Sequence, residues 1–99
     1  MELNSCVHED ARRRFFRDGR LLDLPRRRKS REPVLDLVTV SLLDEGEHLD
    51  ERELTARLAR IVDDAVFMRR LLVDSGRILR TADGSDYWLG TLPPIGSEV

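Results

Sequence analysis

A chain of 99 residues, 40% apolar but only 5% aromatic, suits one domain with a modest core packed mainly by leucine, valine and isoleucine. No apolar run approaches the ~18 residues of a membrane span, the single Cys6 leaves no internal disulfide or zinc knuckle, and the first twenty residues lack a signal-peptide core, so a cytoplasmic protein without membrane contact is expected. The net charge is −2, yet Arg12, Arg13, Arg14, Arg17, Arg20, Arg26, Arg27, Arg28, Lys29 and Arg31 face only Asp18 and Asp23 within their own stretch, an asymmetry that points to a polyanionic partner.

Taken in chain order, Met1 to Val7 reads as a loose tip. His8 to Arg17 reads as a short helix, polar except for Ala11, Phe15 and Phe16, and Phe16 is expected to anchor in the core. Gly19 breaks this helix, and Pro25 limits any extended piece formed by Arg20 to Leu24. Arg26 to Arg31 has no apolar residue to bury and belongs on the surface. Ser30 is placed to cap the next helix, with Pro33 in its first turn and Val34, Leu35, Leu37, Val38 and Leu42 on its apolar face. Glu45-Gly46 ends that helix, and Glu47 to Leu49 has the length of a small strand.

Asp50 followed by Glu53 predicts a capping box and a helix over about Glu51 to Arg60, with Leu54, Leu58 and Ile61 inward. A short junction at Ile61-Val62-Asp63 leads to a third body helix, capped by Asp63 or Asp64 and ended by Gly76. Phe67, Met68, Leu71 and Leu72 are expected to face inward on it. Asp83-Gly84 between Ile78-Leu79-Arg80 and Tyr87-Trp88-Leu89 predicts a hairpin. Neighbouring strand residues face opposite sides, and Trp88 is expected to plug the core while Tyr87 is partly exposed. Beyond Gly90, Pro93 and Pro94 leave a tail. The expected fold is α+β, a winged helix-turn-helix-like three-helix body with a C-terminal β-hairpin and an additional N-terminal helix or arm. It would form one domain over 8–90, including the basic arm 8–31, with flexible tails at 1–7 and 91–99.

The order Phe16-x-Asp18-Gly19-Arg20-Leu21, Pro25, the basic run through Arg31 and Leu35 resembles a bacterial family catalogued as domain of unknown function 2087. The resemblance continues through Glu53, Asp64, Arg69-Arg70-x-Leu72-Val73-Asp74-x-Gly76, Arg80 and Asp83-Gly84 before Tyr87-Trp88, and so runs from about Phe15 to Leu89. It implies a winged-helix-like module found alone or fused behind helix-turn-helix regulators, in a transcription-associated context and without an assigned activity. A histidine frequent in that family near the start of the third helix is Val62 here, so no metal or catalytic role rests on it.

Catalytic chemistry has little to build on. His8 and His48 lack any zinc-type spacing, and His48, beside Glu47 and Asp50, reads as a polar surface residue open to a carboxylate contact. Asp63 and Asp64 point about 100° apart on a helix and serve better as caps. No glycine-rich phosphate loop and no nucleophile with a neighbouring base is present, so neither catalysis, metal nor cofactor is expected.

Binding is better supplied. Arg26, Arg27, Arg28, Lys29 and Arg31 would form an outward phosphate-contacting patch, Arg69 and Arg70 sit where a reading helix could present them, and Arg77 and Arg80 could clamp the backbone. Asp63, Asp64, Asp74, Asp83 and Asp86 surround that helix and wing and oppose close approach to phosphate unless capped, paired or turned away. The leading expectation is a module binding DNA or RNA mainly through phosphates. The alternative is a non-catalytic interaction module with an acidic protein partner, or a homodimer. Phe16, Gly19, Pro25, Leu35, Phe67, Leu72, Gly76, Gly84 and Trp88 are the expected structural positions.

Overall fold

The apolar spacing after the basic run puts one helix at the centre of the molecule. In the computed structural model, which describes residues 6–90, α2 (Arg28–Leu42) buries every residue from Pro33 to Thr39. The other helices are α1 (Cys6–Phe15), α3 (Glu51–Ala59) and α4 (Ala65–Asp74). The strands are β1 (Phe16–Arg17), β2 (Arg20–Leu21), β3 (His48–Leu49), β4 (Ile78–Arg80) and β5 (Tyr87–Leu89). The architecture is therefore α+β. The expected tails fall outside the described residues, except that Cys6 and Val7 belong to α1 rather than to a loose tip. No described helix is long and apolar enough to cross a membrane.

Helix α2 starts earlier than Ser30 predicts. Arg27 is its N-cap residue without a side-chain cap, and the added turn closes because Arg31 N–H donates to the Arg27 carbonyl at 2.9 Å. Pro33 consequently lies inside the helix rather than in its first turn, where its missing N–H leaves one ladder bond unmade. At the other end, Arg57 donates to the Leu42 carbonyl at 3.0 Å and forks onto Glu47 at 2.9 and 2.7 Å. Those hydrogen bonds, from Arg57 first and the Asp44 backbone second, hold the Glu47 carboxyl below its ordinary range.

The expected capping box of α3 is present, with Glu53 N–H donating to Asp50 at 2.8 Å and Asp50 N–H to Glu53 at 3.2 Å. Asp64 caps α4 by accepting from Phe67 N–H at 3.1 Å. Between these helices the junction is pulled tight by Ile61 N–H to the Leu58 carbonyl, with Ile61 and Val62 buried. The Asp83-Gly84 hairpin also forms, and the small segment at His48–Leu49 joins it. The result is a three-stranded antiparallel sheet in the order β3-β5-β4.

Three predicted placements change for reasons of geometry. Tyr87 is the buried aromatic, 2% exposed, while Trp88 is half-buried. With β5 in the middle of the sheet, Tyr87 pairs with buried Leu49 and so shares its inward face. Trp88 pairs with His48 on the opposite face, where the two rings stack at 5.4 Å. Phe67 is 48% exposed, because Met68 and Leu72, one turn apart, take the inward stripe of α4. The N-terminal arm is more structured than a broken helix: β1 and β2 pair with Phe16 opposite Leu21, across a turn where Asp18 and Gly19 both have positive φ, 53° and 80°. That is the backbone of a two-residue I′ hairpin. The arm is fastened by Leu21 N–H to the Ile61 carbonyl at 2.7 Å, while Phe16 packs half-buried against the core.

The largest revision concerns Arg77, predicted as a phosphate clamp. It is only 2% exposed. Its Nε donates to Asp36 at 2.7 Å and its Nη2 to the Glu32 carboxylate at 2.7 Å and carbonyl at 3.2 Å. The other oxygen of Asp36 lies 2.8 Å from His8 Nε2. This buried chain joins α1, α2 and the entrance to β4, and it keeps Arg77 from any outside partner. Close packing seals the same corner. Gly90 N–H reaches the Arg77 carbonyl at 2.7 Å, and a Cβ at Gly90 would stand 2.3 Å from the Gly76 carbonyl oxygen.

Removing one member of a buried ion pair strands the other charge. Arg77→Ala is therefore expected to destabilise the domain by about 3–5 kcal/mol in urea unfolding, whereas Arg80→Ala changes stability by no more than about 0.5 kcal/mol. Equal stability of the two variants would remove the structural role given to Arg77.

Candidate functional site

The fold sorts the basic residues by whether an acid already occupies them. On α1, Arg12 and Arg14 pair with Glu9 and Asp10 one turn away. Arg20 is held by Asp63 and the Ala59 carbonyl, and Arg57 by Glu47. Arg13 and Arg17 are exposed without an acid partner among the described residues, and the run at the start of α2 adds a contiguous group. Arg26, Arg27, Arg28 and Lys29 are exposed and Arg31 is half-buried. Arg28 reaches Glu32 only at 3.9 Å, and among the described residues none of the other four has an ion-pair partner. The first α2 amides also lack a side-chain cap, so the positive end of the helix adds to this charge.

A second group of cations lies in a cleft of about 510 Å³ between α4, the start of α3 and the β4–β5 hairpin. Arg69, Arg70, Arg80, Glu51, Asp74 and Tyr87 supply its polar lining. Arg69 turns partly inward, donating to Thr55 Oγ1 at 2.8 Å with Glu51 at 3.6 Å. Arg70 and Arg80 are exposed and, among the described residues, have no ion-pair partner, although Asp74 lies one turn from Arg70. The Tyr87 hydroxyl donates weakly to Glu51 at 3.5 Å.

The two basic groups sit at opposite ends of the hairpin. Glu32, one turn into α2 from Arg28, bonds Arg77 at the hairpin base, whereas Arg80 pairs with Tyr87 next to the turn. A third surface is largely apolar. A groove of about 180 Å³ between the β2 exit and α4 is lined by Leu22, Leu24, Val62, Phe67 and Met68, with Asp23, Asp63 and Asp64 also on its wall. Leu22 at its edge is 59% exposed.

Most of the acids that opposed a nucleic-acid partner in the sequence prove to be engaged. Asp63 is paired with Arg20 and Asp64 caps α4. Asp86 bonds His48 Nδ1 at 2.8 Å, a partner other than the neighbours Glu47 and Asp50 that the sequence offered. Strand pairing brings these two together across 38 positions, which no local spacing could reveal. Asp83 accepts from the Ser85 side chain at 2.7 Å, the Ser85 backbone at 3.0 Å and Thr81 at 2.8 Å. These bonds, led by the Ser85 side chain, lower its pKa to about 2. The outward face of α4 thus carries one open guanidinium, Arg70, beside exposed Val66, Phe67 and Asp74. No group of three or more metal-ligating side chains occurs among the described residues.

A family model described as "Uncharacterized protein conserved in bacteria (DUF2087)" matches residues 20–89, which takes in both basic groups and leaves α1 and β1 before it. No curated protein matches, and no solved structure matches.

The hydrogen bonds at the hairpin turn set a pH dependence. Asp83 has a folded pKa of about 2 against an ordinary 3.8, so its stabilising effect is complete above about pH 4 and is lost as pH falls toward 2. Over that window the unfolded chain binds more protons than the folded one. Asp83→Asn is expected to lower the proton uptake on unfolding near pH 3 by up to about one, measured from the slope of urea-derived stability against pH. An unchanged acid slope would dismiss the turn as its source.

Proposed function

The chain belongs to the DUF2087 family of bacterial proteins, and from that premise we propose that it is a winged-helix module that docks on DNA or RNA mainly through phosphates in a transcription-associated setting. The order α2, β3, α3, α4, β4, β5 supports the winged-helix reading, with β3 joining the hairpin as the third strand. In this reading α4 takes the place of the groove-facing helix and the β4–β5 hairpin that of the wing. One domain over 8–90 carries both, and it works in the cytoplasm as a binding module without a catalytic step.

One observation carries the reading: Arg26, Arg27 and Lys29 are exposed with no acid partner among the described residues, at the uncapped start of a helix. A surface run that served only stability would gain from partners, as Arg12 and Arg14 do. Unpaired guanidiniums instead keep their donors for phosphate oxygens. Base reading has less to work with, since α4 offers Arg70 alone among apolar and acidic neighbours. Affinity therefore comes chiefly from counterion release and shows little sequence preference.

Neutralising Arg26, Arg27 and Arg28 to glutamine is expected to leave thermal stability nearly unchanged, because all three are exposed. In anisotropy titrations with duplex DNA, single-stranded DNA and structured RNA, it should reduce the slope of log K against log salt by about two to three. Binding that persists with the same affinity and slope rules this patch out.

A second reading, docking on a protein partner or a second copy, is favoured by Leu22, Val66 and Phe67, large apolar side chains left in water. For the homodimer, sedimentation should show association that Phe67→Ser weakens. A monomer at all concentrations, unchanged by that substitution, removes the homodimer.

A further inference from the structure

The cleft between α4 and the hairpin holds guanidinium groups whose donors the fold leaves unused. Arg69 is the informative one. Its side chain is only 17% exposed, and its contacts with Thr55 and Glu51 both use Nη1. Nε and Nη2, with three of the five N–H donors of a guanidinium, have no acceptor among the described residues. Arg69 lines a cleft open to solvent, so these donors are not spent on the protein and remain available to an acceptor that enters it.

Two more arginines line the same space from different elements. Arg70 follows Arg69 on α4, and Arg80 comes from β4. The turn glycine marks where the hairpin groups meet. A Cβ built on Gly84 would stand 3.2 Å from Glu51 Oε1, 3.4 Å from Arg80 Nη1 and 3.7 Å from the Tyr87 hydroxyl. Gly84 also has φ of 74°, so a side chain there would both strain the turn and crowd these groups.

The charges facing the cleft limit what can enter. Arg69, Arg70 and Arg80 are opposed by Glu51 and Asp74, with Glu51 already shared between Arg69 and the Tyr87 hydroxyl. One positive charge is left over, which suits an anion carrying one negative charge. A phosphodiester has one charge and two non-bridging oxygens at the spacing of a guanidinium fork. Val66 and Val73 provide apolar wall beside the arginines, against which sugar or ester carbons can lie. The volume, about 510 Å³, exceeds what a bare ion needs and falls in the range of small-ligand sites.

We propose that this cleft is a phosphodiester site, in which Arg69 is the pre-oriented fork and Arg70 and Arg80 close on the same group. The proposal rests on the nucleic-acid reading for the expected source of the ester, a sugar–phosphate backbone; a free phosphodiester has the same chemistry. It adds a contact at the turn end of the hairpin, apart from the run at the start of α2.

The test uses the full chain labelled with nitrogen-15. Dimethyl phosphate is titrated at constant ionic strength, with chloride as the control, and then a short duplex, following the Arg69 Nε–H and Gly84 amide signals. Saturable shifts with dimethyl phosphate are expected, with affinity reduced about tenfold or more in Arg70→Gln/Arg80→Gln. Both substitutions are on exposed side chains, so folding is retained. If the duplex moves the same signals, the source is the backbone. If dimethyl phosphate moves them and the duplex does not, the site stands for a free phosphodiester, and the nucleic-acid reading falls only when the duplex leaves the signals of 26–31 unmoved as well. If the duplex shifts only signals of 26–31, and dimethyl phosphate does no more than chloride, the site is overturned while the nucleic-acid reading survives. No response to either ligand also overturns the site.

Discussion

A guanidinium buried in the core, Arg77, is the constraint on which the rest of this structure depends. Burying such a charge is costly unless its donors and its countercharge are both supplied. Asp36 and Glu32 supply them from one face of α2, and His8 meets the other oxygen of Asp36 from α1. The central helix, the N-terminal helix and the first strand of the hairpin are thereby held in one arrangement. Hydrophobic burial along α2 drives association of these elements, but it is indifferent to small rotations. The directional bonds of Arg77 and Asp36 select one of them.

The placement of the surface charge follows from that choice. Because Glu32 is committed to Arg77, the residues that precede it are carried to the outside of the same corner, where the described residues offer them no acid beyond the long contact of Arg28 with Glu32. The fold uses some arginines as structure and leaves others open: Arg57 closes the end of α2, Arg20 pins the β1–β2 arm, and Arg12 and Arg14 brace α1. A composition that looked like a continuous basic stretch is thus divided into fasteners, a short available run at the start of α2, and Arg13 and Arg17, exposed and without an acid partner among the described residues. The acids are divided likewise, with Asp50 and Asp64 capping helices, Asp63 paired with Arg20 and Asp83 closing a turn. That reduces the negative field around α4 and the hairpin, which in the sequence alone weighed against any polyanion there.

Local signals were legible where a side chain acts on backbone within a few residues. Asp50 with Glu53, the cap at Asp64 and the turn at Asp83-Gly84 are all of this kind, and each forms. The Ser30 cap failed because an earlier carbonyl, that of Arg27, could accept the Arg31 amide and lengthen the helix. Periodicity located the buried face of α2 but misassigned Phe67, since hydrophobicity ranks a phenylalanine above Met68 without knowing which side of α4 the tight junction turns inward. Of the candidate site residues, the run Arg26 to Arg31 was readable because nothing in it could be buried. Arg69, Arg77 and Arg80 were not separable, because one residue type serves as core countercharge, half-buried fork or open cation according to its neighbours.

By itself the sequence determined the helices, the β4–β5 hairpin, their order and the presence of an unusual basic segment, because helix periodicity, caps and turn residues act over short range. Tertiary structure alone decided which aromatic residue entered the core, since the middle position of β5 sets the faces of Tyr87 and Trp88. It also decided which charges remain for a partner. The acids that neutralise Arg77 lie 41 and 45 residues away from it. Coulomb energy and desolvation depend on distance and burial in three dimensions, and neither can be read from neighbours along the chain.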